Sequence, residues 1–303
     1  MNFENKVINI KPKSLYEQPE LRQELFLKKK KLVDDIRPNE IDFDDIYSQE
    51  EIDRDLKEIT RLEKAWEEKM NFQESYNNEV ASLLEGVIVD QVESNNWLGE
   101  NTTMVPASRH DDVKNGVDSV AIVKENQENK YLGLGVDVTF ASSSEVLLKK
   151  LDSIKGIIRY GILSKLKYFR DPETGEHKEL SVPKIIIGAR LSSAEKLVML
   201  WGSKEEGKNK KLKEDPMQSK IILESLYQLK YFYEYALSLS ENTKEKNKVA
   251  NYEEIARSYA EMYNIFYDIY ESKNELIEKH INEVADDIVY QTIAEYTGNK
   301  ESK

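Results

Sequence analysis

Two apolar runs rich in β-branched residues, 117–123 (Val-Asp-Ser-Val-Ala-Ile-Val) and 131–140 (Tyr-Leu-Gly-Leu-Gly-Val-Asp-Val-Thr-Phe), are separated only by the polar stretch Lys124 to Lys130. Runs of this composition joined by so short a connection predict consecutive, adjacent strands. Each run also carries one acid, Asp118 in the first and Asp137 in the second. Strand propensity and desolvation both disfavour an aspartate there, so something must compensate each charge. Two such acids on paired strands can share a cation.

The flanking patterns extend this pair into a larger unit. Upstream, Tyr76, Val80, Leu83, Leu84, Val87 and Ile88 give an apolar face to a helix running from Phe72 to Val92, closed by Asn95, Asn96 and Gly99. Glu79 sits beside that face, and Glu85 lies in the same helix. Thr102 to Ala107 predicts a short edge strand, because Pro106 has no place in a central one. Downstream, Ser142 to Glu145 offer N-cap chemistry for a helix reaching about Phe169, with Leu147, Leu151, Ile154, Ile158 and Ile162 in a single stripe. Asp171 to Gly175 reads as a turn, and Pro183 to Leu191 as a buried strand. Strand, helix and strand in succession imply a right-handed parallel crossover.

Outside this unit the chain divides into two further parts. Residues 1–70 predict an acidic, partly helical N-terminal arm, with a basic run at Lys28 to Lys31 and an amphipathic helix carrying Ile52, Leu56, Ile59, Leu62, Trp66 and Met70. Residues 71–202 form the expected core, and 203–303 a C-terminal helical region. Within the latter, 203–215 reads as a charged loop, followed by helices from Gln218 to Leu239 and from Tyr252 to about Tyr296. The seam Tyr252, Ile255, Tyr259, Met262, Phe266 and Ile269 is expected either in the core or at a homodimer surface formed by the C-terminal helices.

Composition then removes whole classes of function. The chain has no cysteine, which excludes disulfides, zinc-thiolate sites, iron-sulfur clusters and cysteine nucleophiles and fits a reducing, cytoplasmic setting. No window approaches the roughly 18 apolar residues of a membrane span, and the first residues lack a signal peptide's apolar core, so a soluble, non-secreted protein is expected. Three scattered histidines make a His-rich metal site a poor expectation, and neither a dinucleotide loop nor a Walker motif is present. The net charge of −13 argues against a general nucleic-acid coat. Residues 149–213 nonetheless carry sixteen basic and eight acidic side chains, so a phosphate-facing surface belongs there.

In order, residues 72–191 read helix, strand, strand, strand, helix, strand. With Asp118 in Asn-Gly-Val-Asp and Asp137 in Asp-Val-Thr, this order resembles the PD-(D/E)XK nuclease superfamily over about 120 of the 303 residues. The resemblance implies an α/β fold, an αβββαβ restriction-endonuclease-like core with a mixed sheet, here with helical N- and C-terminal extensions. It implies Mg²⁺- or Mn²⁺-dependent hydrolysis of nucleic acid, DNA in the first instance. Glu79 looks like the family's helix acid, binding the metal directly or through water, and Asp118, Asp137 and the Val138 carbonyl like its inner-sphere metal ligands. Thr139 stands where the family usually has its lysine. The resemblance then looks to the next helix, where Lys150 is the first candidate for the catalytic lysine and Lys155 the second, on opposite flanks of the apolar stripe. Arg159, Lys165, Lys167 and Arg170 follow as candidate nucleic-acid contacts.

Each residue also has a plainer role open to it. Asp118 follows Gly116 closely enough to be a turn acid, Asp137 can bond nearby backbone, and the basic side chains can pair with acidic flanking helices. His110-Asp111-Asp112 looks metal-like, but before Asn-Gly such pairs more often initiate turns. A catalytically inactive nuclease-fold protein acting as an interaction or scaffold module is the alternative expectation.

Overall fold

The computed structural model describes residues 14–125, 127–139 and 145–298, with the side chains of 136–139 outside that description. The expected Ser142 to Ser144 cap therefore lies outside the described residues. Helices α1 (Pro19–Lys29) and α2 (Gln49–Glu67) precede α3 (Phe72–Asn95), β1 (Thr102–Pro106), α4 (Arg109–Asn115), β2 (Ser119–Glu125) and β3 (Glu128–Thr139). Then come α5 (Glu145–Arg159), β4 (Ser164–Arg170), β5 (His177–Val182), β6 (Lys184–Arg190) and the helices α6 (Leu191–Gly202), α7 (Lys208–Lys213), α8 (Pro216–Asn242), α9 (Lys246–Ser272), α10 (Asn274–Ala285) and α11 (Ile288–Tyr296). The result is a mixed α/β fold with helical regions at both ends.

The main sheet has the order β1-β2-β3-β6. β1 and β3 both run antiparallel to β2, while β6 runs parallel to β3 after the crossover through α5. Alternation along β2 explains why it is buried on both faces. Ala121 and Val123 join the main core with α3, whereas Val120 and Ile122 pack with Leu166, Phe169 and Val182 of the separate β4-β5 hairpin.

That hairpin corrects the long helix expected to reach Phe169. Helix α5 ends at Arg159, and Gly161 adopts a left-handed φ of +76° that a continuing helix cannot accommodate. Ser164 to Arg170 forms β4 instead, with Leu166 and Tyr168 buried between the exposed Lys165 and the half-buried Lys167. The 171–175 turn does form: Asp171 Oδ1 accepts the amides of Glu173 and Thr174 at 3.0 and 3.2 Å, and Gly175 takes φ +72°. His110 to Asp112 belong to the short helix α4, N-capped by Ser108, rather than to a turn. Residues 208–213 are helical too, within the stretch expected as a loop.

The N-terminal segment is more closely integrated than its charge suggested. Leu15, Leu25 and Val33 join the main core, and Phe43 and Ile52 form a smaller cluster with Tyr168. Helix α2 starts on a capping box in which Ser48 and Glu51 satisfy each other's amides. At the other end, α8 and α9 form an antiparallel-type pair whose seam, Tyr252, Ile255, Tyr259, Met262, Phe266 and Ile269, is buried within this one chain. Of the two places expected for the seam, core or homodimer surface, it occupies the core.

β6 is the outer strand of the sheet, and the C-terminal helices satisfy its edge with side chains. The Tyr259 hydroxyl accepts the Lys184 amide at 3.1 Å and donates to the Lys184 carbonyl at 3.2 Å. Gln228 accepts the Ile186 amide at 2.9 Å and donates to its carbonyl at 2.7 Å. Glu224 accepts the Gly188 amide at 3.3 Å, and Lys220 donates to the Gly188 carbonyl at 2.7 Å. Alternate residues 184, 186 and 188 thus find in α8 and α9 the partners a further strand would have supplied.

This arrangement buries charge. Lys220 Nζ lies 3.3 Å from Glu224 and 3.2 Å from Asp287, all three side chains under a tenth exposed. Burial drives the Glu224 carboxyl up to about 7, against the attraction of Lys220. Because the folded value lies above the unfolded one, this group's contribution to stability is present below about pH 4.5 and lost as pH rises through about 7, roughly 3 kcal/mol in all. Denaturant unfolding should show Glu224→Gln gaining stability on wild type as pH rises from 5 to 8. A constant difference across that range would contradict the assignment.

Candidate functional site

A cleft of about 540 Å³ opens where α3, α4, the start of β2, α5 and β6 converge, with Trp66 of α2 beside it. Asp118 lies in its wall at the point where the chain leaves α4 and enters the sheet. Its amide donates to the Leu134 carbonyl at 2.9 Å, although Leu134 is the ladder partner of Ser119. Two residues of the β2 side thus face one of β3, the arrangement of a bulge, which redirects a side chain next to a strand end. Asp137 is three residues beyond Leu134 on the same strand and pairs in register with Gly188. The backbones of Asp137, Val138 and Thr139 belong to β3, whereas the side chains proposed from this segment lie outside the described residues.

Two of the four lysines that line the cleft among the described residues, Lys150 and Lys184, come from α5 and β6. Lys150 comes from the second turn of α5. Lys184 opens β6, and its ammonium donates to the Asn115 carbonyl at 2.6 Å. Glycines make the room it occupies: a Cβ on Gly116, at φ +59°, would lie 2.9 Å from Lys184 Nζ, and one on Gly135 would lie 2.9 Å from the Gly116 carbonyl. Burial lowers the Lys184 ammonium to about 8, opposed by the Asp118 charge and reinforced by Lys150. The sequence carried a signal for this residue. A lysine heading the otherwise apolar run Ile185 to Ala189 is an anomaly of the same kind as Asp118 and Asp137.

The helix acid in the cleft is Glu85, not Glu79. Glu79 faces Arg22 of α1 at 3.3 Å and remains partly exposed. Six residues further on, about 240° around the helix, Glu85 is buried in the wall and accepts from Ser119 Oγ at 3.1 Å. Burial raises its carboxyl above the usual range, with Arg37 and Lys29 opposing. The clue in the sequence was a lone acid within Leu83-Leu84-Glu85-Gly86-Val87-Ile88-Val89. Arg37 sits 3.5 Å from Glu85 and 2.9 Å from Asp112. Burial works against the Arg37 charge, but Glu85, Asp112 and Asp118 together hold its value above the ordinary one.

Other expected site residues are taken elsewhere. Lys155, about 140° around α5 from Lys150, places its ammonium 4.9 Å from the Tyr235 ring and 5.6 Å from that of Tyr231. Arg159 donates to the Tyr235 hydroxyl at 3.1 Å. Lys165, Lys167 and Arg170 are strand residues of β4 rather than residues of the crossover helix, and none of the three lines the cleft. Lys167 is engaged by Asp55 at 2.6 Å. Of the His110-Asp111-Asp112 triplet, Asp111 is a fastener: wholly buried, it accepts the amides of Lys167 and Tyr168 at 2.8 and 3.0 Å and so ties α4 to β4. Only Asp112 reaches the cleft.

The cleft's chemistry follows from these charges. Lys29, Arg37, Lys114, Lys150 and Lys184 face Glu85, Asp112 and Asp118, five cations against three acids within a chain of net charge −13. Lys29 and Lys114 are also paired with Asp34 and Glu58 just outside the lining, so the attraction for an anion belongs to the Lys150 and Lys184 side of the cleft. Among the described residues no three acidic or histidine side chains cluster to hold a metal ion, because Glu85 and Asp112 are engaged by Arg37. A divalent cation at Asp118 would therefore need the oxygens of the β3 segment at Asp137 and Val138, which is also the donor chemistry hard cations prefer. Comparison with protein-family models, with curated proteins and with solved structures finds no match for this chain.

Proposed function

We propose that this protein is a divergent nuclease of the PD-(D/E)XK type that hydrolyses phosphodiester bonds in nucleic acid, DNA in the first instance, with Mg²⁺ or Mn²⁺. The observation carrying this reading is Asp118 in one cleft with Lys150 and Lys184, beside the β3 strand that bears Asp137. The β1-β2-β3-β6 sheet, with β3 and β6 parallel and bridged by α5, supports an αβββαβ core.

In this reading Asp118, Asp137 and the Val138 carbonyl would hold the cation, which would supply charge neutralisation at the phosphate and activation of a water. Lys184 or Lys150 takes the role left open by Thr139, presenting a positive charge to the scissile phosphate from a partly dry wall. Glu85 and Arg37 hold the back of the cleft in position. Calorimetric titration of Mn²⁺ is the direct test: wild type should bind with carboxylate-dependent heat that Asp137→Asn removes, and no binding by wild type would sink the proposal.

The pairing of Arg37 with both Glu85 and Asp112, together with Thr139, favours a second reading, an inactive nuclease-fold protein serving as an interaction module. That protein would show no carboxylate-dependent Mn²⁺ binding and no cleavage.

A further inference from the structure

The chain has three tryptophans, of which Trp97 and Trp201 are each 1% exposed and hydrogen-bonded inside the fold. Trp66 is different. It is 49% exposed, near the end of α2, and it lines the same cleft as Asp118, Lys150 and Lys184. Helix α2 is otherwise polar on its outer side and is held against α4 by ion pairs from Arg109 to Glu63 and from Lys114 to Glu58. A large aromatic surface is thereby fixed in the wall of the cleft that holds Lys150 and Lys184, with no other aromatic residue among the described residues that line it.

The dimensions bear on what can enter. A volume of about 540 Å³ is in the range of pockets that enclose one small-molecule-sized group, roughly 300–1,000 Å³. That size matches a single unpaired nucleotide, with its phosphate toward the lysines and its base against the indole of Trp66, better than a base pair held within a duplex. Stacking on aromatic side chains is the usual means of holding unpaired bases irrespective of sequence.

We propose that Trp66 is the stacking platform for one unpaired base of a single-stranded nucleic acid whose phosphate rests beside Asp118, Lys150 and Lys184, so that the protein acts on single strands in preference to intact duplex. This rests on the nuclease reading and adds to it a substrate class and a residue outside the catalytic core. Because the other two tryptophans are buried, acrylamide reaches Trp66 selectively, and the emission change absent from Trp66→Leu is the signal of the site.

The experiment titrates a short oligothymidylate, a blunt duplex of the same length and free thymidine monophosphate into the full chain in Ca²⁺, following tryptophan emission and its protection from acrylamide. Oligothymidylate is expected to shift Trp66 emission and to bind more tightly than either competitor. Trp66→Leu should weaken its binding about tenfold or more, and Trp66→Phe should recover part of the loss. Unchanged oligothymidylate affinity in Trp66→Leu, equal affinity for duplex, or equal affinity for the free nucleotide overturns the assignment while leaving the nuclease reading in place. Failure of wild type to bind or cleave any nucleic acid overturns both.

Discussion

Asp118→Ala should abolish metal-dependent cleavage of both a single-stranded circle and a supercoiled plasmid while leaving the fold intact. A cation neutralising the transferring phosphate contributes several kcal/mol to the transition state, so loss of a principal ligand should lower the rate by about a thousandfold or more. The fold should survive because Asp118 contributes to the sheet mainly through its backbone, whose amide bonds Leu134 and whose carbonyl accepts the Ala107 amide at 3.0 Å. Both bonds persist in alanine. Gel analysis of cleavage beside circular dichroism checks the pair of outcomes, and full residual activity would remove Asp118 from the chemistry. Glu79→Ala serves as the internal comparison: its carboxylate faces Arg22 away from the cleft, so cleavage should be unaffected.

The largest effect on stability is expected at Lys220→Met. This ammonium is 4% exposed and lies between Glu224, Asp287 and the Gly188 carbonyl. Removing it strands two carboxylates beneath the edge of β6, and breaking a buried charge network from one side typically costs about 3–5 kcal/mol. A fall in Tm on the order of 10 °C should accompany it. Adding Glu224→Leu to Lys220→Met should restore much of the loss, since the repulsive partner goes too, while Asp287 continues to cap α11 through the amides of Val289 and Tyr290. A double variant no more stable than Lys220→Met would show that packing, rather than stranded charge, dominates at this site.

Different residues make clear why some features were legible and others were not. The strand pair 117–123 and 131–140 could be read because a short polar connection leaves consecutive apolar strands little choice but to lie side by side, and β2 and β3 do so. The parallel return to β6 could be read because a helix separates two strands, and chirality then governs the crossover. The end of α5 could not. Ile162, Leu166 and Phe169 continue the spacing of the stripe above them, so the local pattern fits a helix as well as a strand. The second face of β2 needed a cover, and the β4-β5 hairpin provides it.

The site divides in the same way. Asp118 and Asp137 stood out because each is a charge within an apolar pattern that ought to exclude it, and Lys150 because the family resemblance looked to the helix after β3 for a lysine; Asp118 and Lys150 reach one cleft. Choosing between Glu79 and Glu85, or between Lys150 and Lys155, required knowing which side of a helix faces the cleft rather than α1 or the tyrosines of α8. Periodicity does not contain that information, because residues on either flank of an apolar stripe are equivalent until the neighbouring elements are in place. Lys184 and Trp66 lie far from the other groups in sequence, on a strand and a helix that meet only after the chain has closed.

What this sequence determined by itself is the succession α3, β1, β2, β3, α5 and β6 and the strand pairing at its centre, since both follow from local hydrophobic period, turn chemistry and the handedness of L-residues. What only the tertiary structure decided is the composition of the cleft and the treatment of the β6 edge. Those depend on side chains from α2, α3, α5, α8 and α9 converging on one sheet, and convergence is a property of packing, where burial and charge compensation are settled jointly among residues that the sequence keeps far apart.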